Sequence, residues 1–243
     1  EVLAQKRLEM QETFWAQMLM QPRAEKDAFF RREWFKWFDL PSDPVAFAKS
    51  RNMRLYGSSD YAVTAGGGDF TVHGVVGVDQ NDDVYVLDVW AGQTESHIWV
   101  ERFIDLAAKW RPLRWAEENG QIIKSLGPFI LQRMRERRCY CHREQFSSAS
   151  DKPTRARSFQ ARASMGKVYL PHSAPWLDDL LMDVLAFPLG KHDDYTDFLS
   201  LIGRMLDTMV GGKAPRIDSG EKPDRWKAAF DRRRTEDSNW KTA

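Results

Sequence analysis

Two glutamates end a stretch that is otherwise typical of a buried β-strand. The stretch LRWAEENGQI, at residues 113–122, starts with apolar residues, continues into Glu117 and Glu118, and reaches the turn signal Asn119-Gly120. Negative charge at this point needs a reason in a chain that is rich in apolar strands. Either the two carboxylates are solvated at the strand end, or they help to bind a cation, and this stretch alone leaves both explanations open.

Other carboxylates have positions from which they can join this pair. Asp60 interrupts an apolar strand pattern, and Asp193, Asp194 and Asp197 open the last long helical pattern. If the strands of Asp60 and Glu118 are neighbours and the helix crosses the sheet edge, all three groups meet in one cleft. Asp193 and Asp194 could instead only cap their helix and complement its dipole.

A cluster of this kind has a definite chemistry. Gathered carboxylates repel one another and stay ionised only when cations neutralise them. Ligands that offer only oxygen suit Mg²⁺ or Mn²⁺, and such a cluster can hold two ions roughly 3.5–4 Å apart. Two ions so placed stabilise the attacking water and the leaving oxygen when a phosphodiester bond is hydrolysed. The acids therefore predict a phosphodiesterase with two Mg²⁺ or Mn²⁺ ions as cofactors.

Other chemistry is more weakly indicated. Cys139, Cys141 and His142 resemble part of a zinc site, but strand alternation explains their spacing and the sequence has no second cysteine pair. His73 lies inside a predicted strand and is expected to be structural. The sequence contains no Walker-type phosphate loop.

Composition places the chain among globular proteins. Of its 243 residues, 42% are hydrophobic and 29% charged, which allows a sizeable core and excludes wholesale disorder. No apolar run approaches the 18 residues of a membrane span, and residues 1–20 lack the order of a signal peptide. Two cysteines do not make a disulfide framework, which fits a reducing compartment. These features predict a cytoplasmic protein without a membrane partner.

The order of the hydrophobic patterns predicts an α/β fold with a mixed β-sheet flanked by helices. Three β-rich stretches are expected to form an antiparallel meander, and a helical crossover leads to the strand of Glu118. An aromatic segment before them is expected to be an irregular packed arm, and residues 1–20 to be a helix. We therefore expect three regions, which are an arm at 1–45, a catalytic domain at 46–210 and a polar tail at 211–243.

Positive charge is concentrated in one part of a chain whose net charge is only +1. Between residues 133 and 167 there are 10 Lys or Arg against 3 acids, a local excess of 7. Such an excess predicts a surface for the phosphates of nucleic acid. The candidate contacts lie on or beside a predicted basic helix and are Lys152, Arg155, Arg157, Arg162 and Lys167. Alternatively, this helix packs into the core through Phe159 while its arginines extend into solvent.

An ordered set of motifs between about residues 30 and 209 resembles the nuclease region of the large terminase subunit of tailed bacteriophages. The motifs are YGSSDYAVT, VYVLDVWAGQ, WAEENGQIIKSLGPFI, DKPTRARSFQARASMGKVYLP and FPLGKHDDYTDFLSLIGRMLD. The resemblance implies an RNase H-like fold and a metal-dependent endonuclease that cuts concatemeric viral DNA during genome packaging. It further implies double-stranded DNA as substrate, an ATPase domain, a portal and a small terminase subunit as partners, and the host cytoplasm as location.

The resemblance also assigns roles to the acids. Glu118 rather than Glu117 matches the family's fourth-strand acid, because EENG places one residue between the acid and the glycine. Alternation along the strand then sends Glu117 to the opposite face. The implied catalytic residues are Asp60, Glu118, Asp193 and Asp194, and the implied metal ligands are these four together with Asp197.

Two other functions stay open at this point. One is another RNase H-like DNA-processing nuclease, such as a resolvase, and the other is a DNA-binding module with reduced catalysis. The complete set of acids argues against the module, and the basic-helix motif favours a terminase over a resolvase. The chain also departs from the family at Ala91, where the family often has Arg. The family's ATPase motor is not supplied here, so we expect the chain to be a C-terminal portion of a longer protein.

Overall fold

The most continuously apolar strand of the chain lies at the centre of the sheet. In the computed structural model, which describes residues 28–62 and 68–209, all eight residues of β3 (Thr71–Val78) are buried. Strand β3 pairs antiparallel with β2 (Arg54–Asp60) on one side and with β4 (Val84–Gly92) on the other. Burial on both faces explains why β3 lacks the polar alternation of a half-exposed strand. The predicted antiparallel meander is confirmed.

Four parallel pairings complete a seven-stranded mixed sheet. Strand β5 (Arg114–Glu118) pairs with β2, and β6 (His142–Phe146) pairs with β5. On the other side, β7 (Val168–Pro171) pairs with β4, and β1 (Phe35–Phe38) pairs with β7. The strand order is β1-β7-β4-β3-β2-β5-β6. The predicted α/β fold class with a mixed sheet is confirmed, including the helical crossover that makes β5 a neighbour of β2.

Strand β1 corrects one expectation, because it lies in the aromatic segment that was predicted to be irregular. Only Phe35 and Phe38 of its four residues are buried. A strand this short, with aromatic residues on both faces, has no clear alternation of apolar and polar residues. The region boundaries at residues 45 and 210 stay predictions. The helix expected at 1–20 and the tail expected at 211–243 lie outside the described residues.

Helices cover both faces of the sheet. The helices α1 (Pro44–Ser50), α2 (Ser96–Trp110) and α3 (Gln121–Glu136) share one buried cluster with side chains of β3, β4 and β5. Three further helices follow in the chain, which are α4 (Lys152–Ser164), α5 (Leu177–Ala186) and α6 (Asp194–Met209). Among the described residues, no helix is long and apolar enough to cross a membrane.

Two glycines let α6 approach both the sheet and α4. A Cβ atom on Gly74 of β3 would lie 2.3 Å from the ring of Phe198 on α6. A Cβ atom on Gly203 of α6 would lie 2.6 Å from the backbone nitrogen of Phe159 on α4. The hydroxyl of Ser58 on β2 also donates to the carbonyl of Phe198, at 2.8 Å. Helix α6 is therefore held directly against β2 and β3, and α4 is held against α6.

Candidate active site

Strand alternation separates the two glutamates of β5. The paired positions Ser59 and Glu117 align β2 with β5, so Asp60 and Glu118 follow each other at the same end of two adjacent strands. Ser58 on β2 faces α6, and Asp60 shares that face because successive side chains on a strand alternate. Glu118 lies on this face and Glu117 on the opposite one.

Helix α6 brings two more carboxylates to Asp60. Burial raises the pKa of Asp60 well above its ordinary value, and the negative charges of Asp197, Asp194 and Glu118 raise it further. The structure thus gathers acids from β2, β5 and α6, which lie far apart in the sequence. Four carboxylates in one partly buried place repel one another, and this is the situation in which a divalent cation is most strongly favoured.

Asp194 and Asp193 are adjacent in sequence but differ in their surroundings. Asp194 is 4% exposed and accepts a hydrogen bond from the backbone N–H of Phe70 at 3.2 Å. Its pKa is raised, first by burial and then by the charges of Asp69 and Asp193. The side chain of Asp193 is 30% exposed and binds the ammonium of Lys152 at 2.6 Å. Only Asp194 of the two is among the charges that raise the pKa of Asp60.

Two cations of α4 point into the same acids. The Nζ atom of Lys152 lies 2.9 Å from Asp197 as well as 2.6 Å from Asp193. The guanidinium of Arg155 pairs with Glu118 and lies 3.5 Å from Asp197. Burial alone would lower the pKa of Lys152, but the hydrogen bonds from its ammonium to the two aspartates raise that pKa above its ordinary value. Lys152 and Arg155 therefore neutralise part of the negative charge of the cluster.

The other basic candidates lie away from the acids. Arg162 pairs with Asp207 at 3.2 Å, and Lys167 pairs with Asp83 at 2.9 Å. Arg157 lies over the ring of Phe29, 5.1 Å from its centroid. The ring of Phe159 is fully buried, which agrees with the alternative in which this helix packs into the core. The five predicted DNA contacts thus do not share one face, and only Lys152 and Arg155 adjoin the acid cluster.

Glu117 has a separate, structural environment on the other face of the sheet. It is fully buried and accepts two hydrogen bonds from Arg143, at 2.7 and 2.8 Å. The hydroxyl of Tyr61 donates a third, at 2.8 Å. The side chain of Arg143 is itself only 10% exposed. These contacts account for the extra carboxylate without a metal.

A second buried network supports β2 from the same face. His73 lies within hydrogen-bond distance of Ser59, at 2.7 Å, and of the carbonyl of Trp99, at 2.9 Å. The indole N–H of Trp115 donates to the hydroxyl of Ser59 at 2.8 Å. Burial lowers the pKa of His73 to about 3, so the ring stays neutral at physiological pH. His73 is therefore structural, as its position in a strand indicates.

The structure adds two residues that the sequence argument missed. Ligand atoms of Asp69, His192 and Asp194 all lie within 4.8 Å of one another, in an arrangement that could hold a metal ion. The Nδ1 atom of His192 is buried and lies 3.9 Å from the Asp194 carboxylate. His192 directly precedes the aspartate pair, which was a usable signal, whereas Asp69 follows three glycines and gave none. Among the described residues, the cysteines and His142 form no such group, and Asp60, Glu118 and Asp197 do not lie within this distance of one another either.

Part of the chain matches a known protein family. The model of a family described as the Terminase RNaseH-like domain matches residues 57–205 of the chain. These residues include the second half of β2, most of α6 and the elements between them, and with them every acid of the cluster. A comparison with curated proteins finds no significant match.

Several solved structures are similar to the chain. The human cytomegalovirus terminase nuclease domain, soaked with Mn and with an inhibitor bound, is 12% identical, with a TM-score of 0.50 over 74% of this chain and 94% of that one. The nuclease domain of the large terminase subunit of bacterial virus Sf6 is 10% identical, with a TM-score of 0.50 over 72% of this chain and 98% of that one. The large terminase nuclease from thermophilic phage G20c, with bound magnesium, is 14% identical, with a TM-score of 0.47 over 63% and 82%. At these identities the likeness concerns the fold alone.

The two glutamates should differ in their effect on stability. Replacing Glu117 by Ala leaves the Arg143 charge buried and unpaired, which typically costs about 3–5 kcal/mol. Replacing Glu118 by Ala takes one partner from Arg155, but Arg155 keeps Asp197 at 3.5 Å. It also removes one of several repelling carboxylates, so the free energy of unfolding should fall by less than it does in Glu117→Ala. Urea unfolding of the metal-free chain and both variants measures this difference. Equal destabilisation by the two substitutions would contradict the assignment of the two faces.

The repulsion among the acids should appear in the pH dependence of stability. The pKa of Asp60 is about 4 in the unfolded chain and is raised in the folded chain. The folded state therefore loses stability as the pH rises from about 4 through the folded-state pKa, because Asp60 must then ionise in an unfavourable place. Asp60→Asn cannot ionise, so in EDTA it should melt at a higher temperature than the parent at pH 8, and the gain should vanish towards pH 4. The exposed Asp105 of α2 supplies the control, since Asp105→Asn should give no such pH-dependent gain. A lower melting temperature for Asp60→Asn at pH 8 would refute the idea.

Proposed function

The chain belongs to the Terminase RNaseH-like domain family, and we propose that it hydrolyses DNA with two divalent metal ions held by the acids around Asp60. Membership confirms the resemblance found in the sequence and the RNase H-like fold that it implied. It also gives the chain the function of a metal-dependent nuclease in genome packaging. What we propose in addition is the number of ions, their identity, the DNA substrate and the residues that act.

One observation carries the proposal, namely that the adjacent strands β2 and β5 and the first turn of α6 bring the carboxylates of Asp60, Glu118, Asp194 and Asp197 together. A donor set of carboxylates with excess negative charge fits Mg²⁺ or Mn²⁺, which prefer oxygen ligands. We assign Asp60, Glu118, Asp194 and Asp197 as the residues that would hold the ions, with Asp193 at the edge of the cluster. When bound, such ions would supply an activated water and would stabilise charge on the leaving oxygen.

The protein's own cations complete the site. Lys152 and Arg155 lie beside the acids, on the face where a phosphodiester must approach. We propose that both contact DNA phosphates and orient the backbone over the cluster. Arg157, Arg162 and Lys167 would add weaker contacts along α4 and beyond it. Contacts of this kind hold phosphates without reading sequence, so the cluster itself would cut with little base preference.

The biological setting extends the proposal. We infer that the substrate is double-stranded concatemeric viral DNA, cut in the host cytoplasm during packaging. An ATPase domain, a portal and a small terminase subunit would be the partners of the full-length protein. A resolvase-like nuclease would share the cluster but would prefer branched DNA. A DNA-binding module with reduced catalysis would bind DNA and not cut it.

Cleavage of plasmid DNA tests the catalytic acids. With Mn²⁺ the parent chain should nick supercoiled plasmid, and Asp60→Ala and Glu118→Ala should each lose more than about 100-fold in rate, since even partners that only support a ligand contribute 10–100-fold. Asp194→Ala should lose more than Asp193→Ala, because only Asp194 adjoins Asp60. Asp105→Ala on α2 is the matched control and should cut normally. The proposed function would be refuted if the Asp60 variant kept full activity or if the folded parent did not nick the plasmid.

The salt dependence of DNA binding tests the cations. Each lost phosphate contact should lower the slope of log affinity against log salt by about one unit. We expect this change for Lys152→Ala and for Arg155→Ala, measured by fluorescence anisotropy with Ca²⁺ in place of Mn²⁺. Lys167→Ala removes the same charge away from the acids and should change the slope less. A larger effect of Lys167 would place the DNA on another surface.

A further inference from the structure

The first turn of α6 is bound by a carboxylate from a different helix. Asp183 of α5 accepts hydrogen bonds from the backbone N–H groups of Tyr195 and Thr196, at 3.1 and 3.2 Å. The hydroxyl of Thr196 donates to the same carboxylate at 2.5 Å. These N–H groups belong to the set that has no partner within a helix and needs one from elsewhere. Asp183 therefore caps a helix to which it does not belong.

This task normally falls to the residue that precedes the helix, whose side chain binds the second or third N–H. Here that residue is Asp193, since its carbonyl accepts from the N–H of Asp197 at 2.8 Å. Its carboxylate binds Lys152 instead, and the Asp194 carboxylate binds the N–H of Phe70. Within the part of the chain that the structure describes, neither aspartate caps α6 with its side chain. Because Asp183 supplies the cap, neither carboxylate has to bind the N–H groups of its own helix, and both can belong to the acid cluster.

Asp183 is held in this position at a cost. It lies in the apolar stripe of α5 and is only 6% exposed. Burial raises its pKa to about 7, although the hydrogen bonds from Thr196 and Tyr195 act in the opposite direction. An apolar side chain at this position would pack without the desolvation cost of a buried carboxylate. Asp183 and Asp194 also line one cavity of about 290 Å³, so the cap lies close to the acids.

We propose that Asp183 is a positioning residue, which fixes the first turn of α6 and so directs Asp194 and Asp197 towards Asp60. This inference rests on the proposed function, because it assumes that these acids hold metal. Asp194 and Asp197 lie at the first and fourth positions of α6, within the turn that the cap orders. Without the cap this turn frays, the two carboxylates no longer converge, and each metal ion has fewer ligands in place.

The test compares three variants with the parent chain by titrating Mn²⁺ calorimetrically at pH 8. Asp183→Ala removes the whole cap, and Asp183→Asn keeps one carbonyl oxygen for Thr196 but presents its amide to the N–H of Tyr195. Asp179→Ala is the matched control, as it removes an exposed carboxylate one turn earlier on α5. Affinity for Mn²⁺ should fall by about 10–100-fold in Asp183→Ala, by less in Asp183→Asn, and not in Asp179→Ala. Circular dichroism reports whether each variant is folded.

A second measurement separates positioning from a general loss of structure. Raising Mn²⁺ should restore plasmid nicking by Asp183→Ala towards the parent rate, and binding to DNA without metal should be unchanged. If Asp183→Ala does not fold, the Mn²⁺ affinity and the nicking rate are measured with Asp183→Asn and Thr196→Val instead. Thr196→Val removes one hydrogen-bond donor to the Asp183 carboxylate. A folded Asp183 variant with the parent's Mn²⁺ affinity overturns the proposal. A parent chain that neither binds Mn²⁺ nor cuts DNA would instead overturn the proposed function.

Discussion

Mutual repulsion among carboxylates is the constraint on which the rest of this structure depends. Asp60, Glu118, Asp194 and Asp197 come from three elements, and the negative charges of the other three raise the pKa of Asp60. The pairing of β2 with β5 brings Asp60 beside Glu118, and the packing of α6 against β2 brings Asp194 and Asp197 to them. The surrounding fold must therefore supply the energy that holds them, and Lys152 and Arg155 reduce that energy by neutralising part of the charge.

The packing of α6 shows how that energy is supplied. Gly74 and Gly203 allow the helix to lie against the sheet and against α4 at distances that any Cβ atom would forbid. The hydrogen bond from Ser58 to the carbonyl of Phe198 fixes the position of α6 on β2. The hydrogen bond that Asp183 accepts from Tyr195 fixes the first turn of α6. Each contact lies outside the cluster, yet each limits where Asp194 and Asp197 can go. Stability of the core and geometry of the acids are thus two results of the same contacts.

The sequence predicted most of what depends on local periodicity. The meander and the crossover to β5 follow from the order of the strand and helix patterns, and the separation of Glu117 from Glu118 follows from alternation along a single strand. Asp183, Asp69 and the partners of Glu117 could not be predicted in this way, because their roles arise from contacts between segments that are distant in the chain. Strand β1 was missed because four residues, with aromatic side chains on both faces, carry no measurable period.

Charge counting along the chain has the same limit. The excess of 7 between residues 133 and 167 suggested a continuous basic surface, but acids from other segments pair with much of it. Arg133 and Arg137 bind Glu101 of α2, and Arg143 forms an ion pair with the buried Glu117. Lys152 and Arg155 adjoin the acids, and both are held by carboxylates that a metal ion would engage under the proposed function. Under the proposed function, a metal ion and the DNA phosphates would therefore act on one network of charges.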